Sequence, residues 1–559
     1  MLIHGLHFNN IKGDIFGGVV AAVIAVPLAL AFGVASGAGA EAGLYGAIFV
    51  GIFAAIFGGT PAQASGPTGP MTVVFAGLLV EMASNPQLIF TTVVLGGVGL
   101  VVLGFLGIGR YISLMPYPVI SGFMSGIGAI IIILQIGPLF GHAAKPGGVI
   151  PNIVGITEFV THPIVSAVIL ALIALIIMYL TPKPVGQIVP PPLLALLVCT
   201  PAAIWFFPDA PVIGSIPSNF PPFLFPTMEI EFLPLIVEGA CVLALLGAID
   251  SLLTSLVCDN MTRTQHDSNR ELIGQGIGNM VAGFFGGLPG AGATLRSVAN
   301  IRSGGRTPIS GALMGLVLLA TLLWLGPLAE QIPLAVLAGI LLKVGADIID
   351  WRFLRHIWDA PRPDVGIMVV VFLITVVVDL ITAVGVGVVL ASLLFVKEMA
   401  DLQLANMTVI TDVHEESPLT EEEAAVMEDN VGKIVLIHVD GPMSFGSAKN
   451  MVRRLETAPG LTTFTSCVLD LSDVPVIDGT AALAIDDMLR IIRAHKQHLF
   501  FVGMQPHVTE ALDGFGVLAH IRPGHRYAER LDALKHAAQA AVSPHPDAMT
   551  FLKRNKPKA

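Results

Sequence analysis

Charge is scarce in this chain. Of its 559 residues only 12% are Asp, Glu, Lys or Arg, against roughly 25% in soluble domains. Hydrophobic residues make up 54%, and the mean hydropathy is +0.80. That scarcity excludes a disordered chain and an ordinary soluble enzyme. Positive charge is rarer still: the formal net charge of −11 leaves no basic surface for nucleic acid. The four cysteines, Cys199, Cys241, Cys258 and Cys467, contain no CxxC pair, so no disulfide framework or zinc knuckle is indicated. The fifteen histidines show no HExxH spacing. P-loop, Rossmann and nucleophile motifs are missing as well. The chain is therefore not read as an enzyme, and no resident cofactor is assigned.

What charge there is lies unevenly. The first 399 residues carry 33 charged side chains and the last 160 carry 36. This places a transmembrane domain at 1–399 and a water-exposed domain at 400–542, with the boundary near Lys397–Gln403 and a disordered tail at 543–559. The N-terminus is short and the apolar run from Ile15 is long enough to stay in the membrane, so no cleaved signal peptide is expected. Fourteen apolar segments follow, in two sets of seven: 14–34, 40–58, 67–82, 90–108, 118–139, 163–180 and 187–206, then 234–257, 271–287, 292–303, 308–326, 333–347, 364–379 and 382–397. With the N-terminus inside, ten Lys or Arg (Lys12, Arg110, Lys183, Arg263, Arg270, Arg302, Arg306, Arg352, Arg355, Arg362) fall in inner loops, whereas the outer stretch 207–232 has none. Both termini are then cytoplasmic. A twelve-crossing division would leave them there too.

Two segments are too short and too broken to span as plain helices. One begins GGTPAQASGPTGPMTVV (58–74), the other GGLPGAGATLRSVAN (286–300). Each is third in its set, and because seven is odd the two sets run in opposite directions. Matched breaks in inverted halves point to a substrate site at the midplane. There the two helix N-termini present unpaired N–H groups and partial positive charge, which suits a small anion. The plainer alternative is a pair of loops entering ordinary helices.

Asp250 lies deep in the eighth segment, where a carboxylate costs roughly 2.5–3.5 kcal/mol. Thr254 is four residues on, on the same helical face. A carboxylate, a hydroxyl and free carbonyls at a helix break form an oxygen-only set suited to Na⁺. A proton-carrying carboxyl, or one that merely pairs with Arg296, are the alternatives. Arg296, one turn into the second break, can fork onto an oxyanion or snorkel toward the inner face. Lys343 reads as a snorkelling lysine, Glu238, Asp259 and Asp379 read as interfacial, and Glu81 is ambiguous.

Beyond residue 405, β runs alternate with amphipathic helices. Strands are expected at 433–441, 465–478 (with a turn) and 498–504, and helices at 447–458, 479–497 and 526–541, which implies a small α/β domain. The acidic stretch 411–430 reads as a flexible insertion.

This membrane region joined to a C-terminal domain bearing VLDLSDVPVIDGTAAL (468–483) resembles the SulP (sulfate-permease) family of anion transporters with a STAS domain. The resemblance covers essentially the whole chain. Stretches such as GPTGPMTVVFAG (66–77), GAIDSLLTSLVCDNMTRTQHDSNRELIGQGIGN (247–279) and GAGATLRSVANIRSGGRT (290–307) look most like the cyanobacterial sodium-dependent bicarbonate transporters. The resemblance implies a UraA-like fold of seven plus seven inverted segments, divided into core and gate domains, a homodimer, and elevator movement of the core. It places Na⁺ at Asp250, Thr254, Gly292 and Thr294, and the anion near Thr68, Gly69, Ala293 and Thr294. Arg296 stands where most of the wider family has its anion-site arginine, and Leu28 follows Pro27 where that family often has Gln. Sulfate, chloride or a dicarboxylate thus stays open beside bicarbonate. In the STAS domain, Thr480 with Asp478 matches the phospho-acceptor position of anti-sigma-factor antagonists; a simple helix N-terminus is the alternative.

The expectation is a Na⁺-coupled bicarbonate importer in the cell membrane, with the lipid bilayer as its medium, a cytoplasmic regulator at the STAS domain and no nucleic-acid partner. Proton-coupled or exchange transport is the rival within the class. A membrane-tethered STAS sensor is the rival from another class.

Overall fold

The structure, a computed structural model, describes residues 3–542 apart from 113–115, 146–148, 215–218, 379, 406, 412–418, 445–463, 496 and 523. It divides into two compact units, Met1–Ala391 and Ser392–Ala559. Asp379, the expected helix 447–458 and the tail 543–559 lie outside the described residues.

Fourteen helices realise the fourteen segments. The first set is α1 (Ile11–Ser36), α2 (Ala40–Phe57), α3 (Gly69–Glu81), α4 (Leu88–Phe105), α5 (Tyr117–Leu134), α6 (Val165–Leu180) and α7 (Pro191–Phe206). The second is α8 (Leu233–Thr262), α9 (Ser268–Phe284), α10 (Thr294–Arg302), α11 (Pro308–Ala329), α12 (Leu334–Ile348), α13 (Arg362–Val377) and α14 (Leu380–Ala405). Six stretches among the described residues are long and apolar enough to cross a membrane alone, and a seventh is added if the bent pair Val149–Thr161 and Val165–Leu180 counts as one. Several others are shorter. With 13 and 9 residues, α3 and α10 are only about 20 Å and about 14 Å long at 1.5 Å per residue, against a hydrocarbon core of roughly 30 Å.

The helices pack in two groups. In the core, α9 lies on α4 and α2, α11 on α2 and α1, and α8 on α4. In the gate, α13 lies on α5, and α12 on α5 and α6. Glycine lets the backbones touch. A Cβ at Gly97 of α4 would sit 2.6 Å from the Gly276 carbonyl of α9, and one at Gly128 of α5 would sit 2.6 Å from the Gly345 carbonyl of α12. Small residues at such crossings replace the hydrophobic drive that lipid cannot supply. The two sets are also tied by a buried carboxylate. Asp14, in the first turn of α1, accepts from the Arg306 and Thr307 N–H groups (2.7 and 2.9 Å) and from the Thr307 hydroxyl (2.9 Å), closing the N-terminus of α11.

The second unit holds a five-stranded sheet in the order β3 (Met407–Ile410), β4 (Ile434–Asp440), β5 (Ser466–Asp473), β6 (His498–Val502) and β7 (Arg526–Tyr527). Only β3 is antiparallel to its neighbour. Side chains alternate between two apolar layers, with Val435, Ile437 and Leu469 on one face and Ile434, Leu436 and Val468 on the other. The helices α15 (Glu421–Glu428), α16 (Gly479–Ala494), α17 (Pro506–Gly514) and α18 (Arg530–Val542) cover it.

Two expectations are corrected here. The acidic stretch 411–430 is not a loose insertion throughout. Thr420 and Glu423 form a capping box that starts α15, and Glu423 takes a bidentate grip from Arg530 at 3.0 and 2.9 Å. The last helix begins at Arg530, not 526, because Arg526 and Tyr527 pair with Phe501 and Val502 as the edge strand.

Arg530 also reaches Asp470 on β5 (3.1 Å), which accepts from His438 Nδ1 on β4 (3.0 Å). Burial alone would raise the Asp470 carboxyl, but hydrogen bonds from His438 and Ser472 bring it down to about 2. The same bond to Asp470 raises His438 above its ordinary value. The stabilisation from His438 is therefore full below about pH 6.5 and is lost as pH rises through the raised value; that from Asp470 is full above about pH 3.9 and is lost as pH falls through the lowered one. Hydrogen exchange of β4 and β5 in the intact protein, corrected for intrinsic rates, should speed up as pH rises above about 6.5. Asp470→Asn should flatten that dependence and cost on the order of 2 kcal/mol.

Candidate anion and cation site

Both chain breaks meet in the middle of the first unit. Ser65–Pro67 (β1) and Gly290–Gly292 (β2) pair antiparallel, with Ser65 opposite Gly292, Gly66 opposite Ala291 and Pro67 opposite Gly290. The pairing answers the rule that buried backbone must be hydrogen-bonded. Each strand leads straight into a half-helix. Thr68 is the N-cap of α3 and Ala293 the N-cap of α10, and no side chain caps either one. Two sets of first-turn N–H groups are thus left uncapped side by side, with Pro70 supplying no donor of its own.

The expected cation residues come together on this frame. The Thr254 hydroxyl lies 2.9 Å from the Gly292 carbonyl and 2.8 Å from the Thr294 hydroxyl. Ser251, also on α8, accepts the Gly292 N–H at 3.0 Å. Asp250 is one turn before Thr254. Its Oδ2 is buried without a hydrogen-bond partner, and so is the hydroxyl of Thr68. A Cβ at Gly292 would overlap the Gln63 side-chain amide, so any other residue there would displace that amide.

Arg296 does not snorkel. It is 1% exposed, and its Nη2 donates to the Pro67 carbonyl at 2.8 Å, bracing α10 against β1. Its Nε has no hydrogen-bond partner. No ion pair within 4.0 Å joins it to Asp250 among the described residues. Lys343 pairs instead with Asp347 and lies 5.1 Å over the Tyr179 ring.

The two half-helix ends are unequal. Thr294 is exposed. Gly69, the first residue of α3, is buried, and a Cβ there would come within 2.7 Å of Ile131 Cδ1 on α5 and 2.9 Å of Ile348 Cδ1 on α12. Beyond that contact lies a cavity of about 770 Å³ whose lining includes Ser36, Glu81, Gln135, Lys145, Glu238 and Leu341. It shares Leu134, Gln135 and Leu341 with a small void of about 10 Å³ that reaches Gly69.

In the second unit, Asp478 Oδ1 accepts the Ala481 N–H at 2.8 Å at the start of α16, and Thr480 is exposed.

Sequence reasoning missed the polar residues that hold the frame. Glu271, Gln275 and Asn279 form a stripe on α9. Asn279 both donates to and accepts from Gly290 at 2.8 Å. Gln63 and Ser297 brace the first break, the Ser297 hydroxyl accepting the Ala64 N–H at 2.9 Å. The i, i+4, i+8 spacing of three polar residues in an apolar segment was the available signal.

Residues 11–371 match the sulfate permease family and residues 425–531 match the STAS domain. Two curated relatives named bicarbonate transporter BicA are each 43% identical: the one from Synechocystis sp. over 97% of this chain and 96% of its own length, and the one from Picosynechococcus sp. over 97% of each. The solved transmembrane domain of a cyanobacterial BicA, 47% identical, covers 68% of this chain and all of its own, with a TM-score of 0.65. The structure of SLC26A9, 20% identical, shares the fold over 98% of this chain and 91% of its own, with a TM-score of 0.81.

Thr254→Val keeps the side chain's shape and strands the Gly292 carbonyl. Thermal unfolding in detergent should show a loss of about 1–2 kcal/mol, with Thr254→Ser close to wild type. An unchanged Thr254→Val protein would mean that the hydroxyl does not hold the second break.

Proposed function

The chain belongs to the sulfate permease family, and we propose that it carries bicarbonate into the cell together with Na⁺. The observation that carries this reading is the cluster of groups left without partners where the breaks meet: Thr68 Oγ1, Asp250 Oδ2 and Arg296 Nε, beside two uncapped helix ends. Buried polar atoms are normally satisfied; these would find partners in transported ions.

In this reading the anion rests between Thr68–Gly69 and Ala293–Thr294, where N–H groups and the helix dipoles favour negative charge. Arg296 adds to the positive field. Na⁺ is taken by the Asp250 carboxylate with oxygens of Thr254, Gly292 and Thr294, a hard-cation set. Without Na⁺ the Asp250 charge opposes an anion at the same centre; with Na⁺ that opposition is neutralised. Each ion then raises the affinity of the other by the same factor. Bicarbonate is preferred over sulfate, chloride or a dicarboxylate because of the 43% identity to relatives named for it.

Transport is proposed to proceed in a homodimer by elevator movement of the core past the gate. The 1–399 region would carry transport. The 400–542 domain would lie in the cytoplasm with both termini, as the ten inner Lys and Arg favour, and would receive a regulator near Asp478 and Thr480. The setting is the cell membrane.

Asp250→Ala should insert normally and lose Na⁺-dependent bicarbonate uptake in proteoliposomes. Wild-type uptake indifferent to Na⁺ but driven by an imposed pH gradient would replace Na⁺ with a proton. Parallel uptake of sulfate and fumarate tests the anion: bicarbonate should compete for uptake and the others should not.

A further inference from the structure

One buried acidic side chain that holds the frame of this site is not among its expected ion ligands. Glu271, on α9, is 1% exposed and meets only donors. Its Oε2 accepts from the Gly59 and Thr60 N–H groups, both at 2.9 Å, and its Oε1 from Gln63 Nε2 and Gln275 Nε2, both at 2.7 Å. Four N–H groups around two oxygens fit a carboxylate. An amide in its place would turn its own N–H against donors.

The cage does not end at Glu271. Gln63, fixed at its Nε2, accepts from the Ser255 hydroxyl at its Oε1 (3.0 Å). Between those two anchors its amide lies against Gly292, with Cδ 2.6 Å from where a Cβ would stand. Gly292 in turn offers its carbonyl to Thr254. A line of contacts therefore runs from Glu271 through Gln63 to the backbone oxygen assigned to Na⁺.

We propose that Glu271 is a positioning residue for the cation site, acting through the Gln63 amide to set the Gly292 carbonyl beside Thr254, Thr294 and Asp250. This rests on the Na⁺ reading above. A small hard cation discriminates by ligand distance, so outer residues that orient its ligands weigh heavily on affinity. The line ends on the carbonyl given to the cation and not on an N–H group given to the anion, so the larger effect falls on Na⁺.

The test measures half-saturating Na⁺ and half-saturating bicarbonate separately, each with the other ion saturating, on the intact protein in proteoliposomes. Glu271→Gln should raise half-saturating Na⁺ by about 10-fold or more while bicarbonate moves by less than about twofold, and Glu271→Asp should restore part of it. Ser255→Ala frees the far end of Gln63 and removes a contact to the Thr60 hydroxyl but leaves all four N–H groups on Glu271 in place, and should shift Na⁺ in the same direction; it decides the matter if Glu271→Gln fails to reach the membrane. Unchanged Na⁺ dependence in a Na⁺-dependent wild type, or equal shifts for both ions, would overturn the inference alone. A wild type with no Na⁺ dependence would overturn the cation reading and this inference together.

Discussion

Backbone inside a bilayer has no water to bind, and every part of the first unit answers to that constraint. A chain broken once at the midplane would leave its carbonyls and N–H groups stranded at several kcal/mol each. Broken twice, at corresponding places in opposed halves, it can satisfy itself: Ser65–Pro67 and Gly290–Gly292 each supply the other's ladder. Three residues a side are enough to hold two helix starts together. The pairing is also what makes the ends available, because a helix begun by a strand at its own N-terminus has no loop to cap it.

Around that ladder, polar side chains fall into two main kinds, with Gln275 and Asn300 both engaged at their N–H groups and unpartnered at one oxygen. Glu271, Gln63, Asn279, Ser251 and Ser297 are engaged with backbone or with each other. Thr68, Asp250 and Arg296 each keep an atom in reserve. The first kind makes the frame stiff, and the second gives it something to do. Asp14 and Glu271 illustrate how a carboxylate can be buried for structure, each facing donors only. Asp250 differs in keeping one buried oxygen without a donor.

Much of this could be read from the sequence because it rests on local pattern. Apolar runs bounded by Gly and Pro gave the fourteen helices, and the twin Gly/Pro/Ala stretches gave the breaks. Asp250, Thr254 and Thr294 followed from chemistry and family likeness, and the Thr254 bonds to Gly292 and Thr294 now join them. What escaped was set by contacts distant in sequence. Glu271 takes its meaning from residues 59–63, about 210 positions away. The acidic run near 421 looked solvated until Arg530 was seen holding Glu423. The helix Val149–Thr161 went unremarked because its 13 residues are too few to span. Arg526 and Tyr527 read as helix by propensity, and sheet pairing overrode it.

The contact of Ile131 and Ile348 with Gly69 places hydrocarbon directly over the start of a helix. Water is kept from that end, so its partial charge is not diluted by a high-dielectric neighbour. An ion held there would feel the full dipole, and mobile salt could do little to screen it. The opposite end, at exposed Thr294, has no such cover. Two halves alike in chain path thus offer a charge two different electrical surroundings.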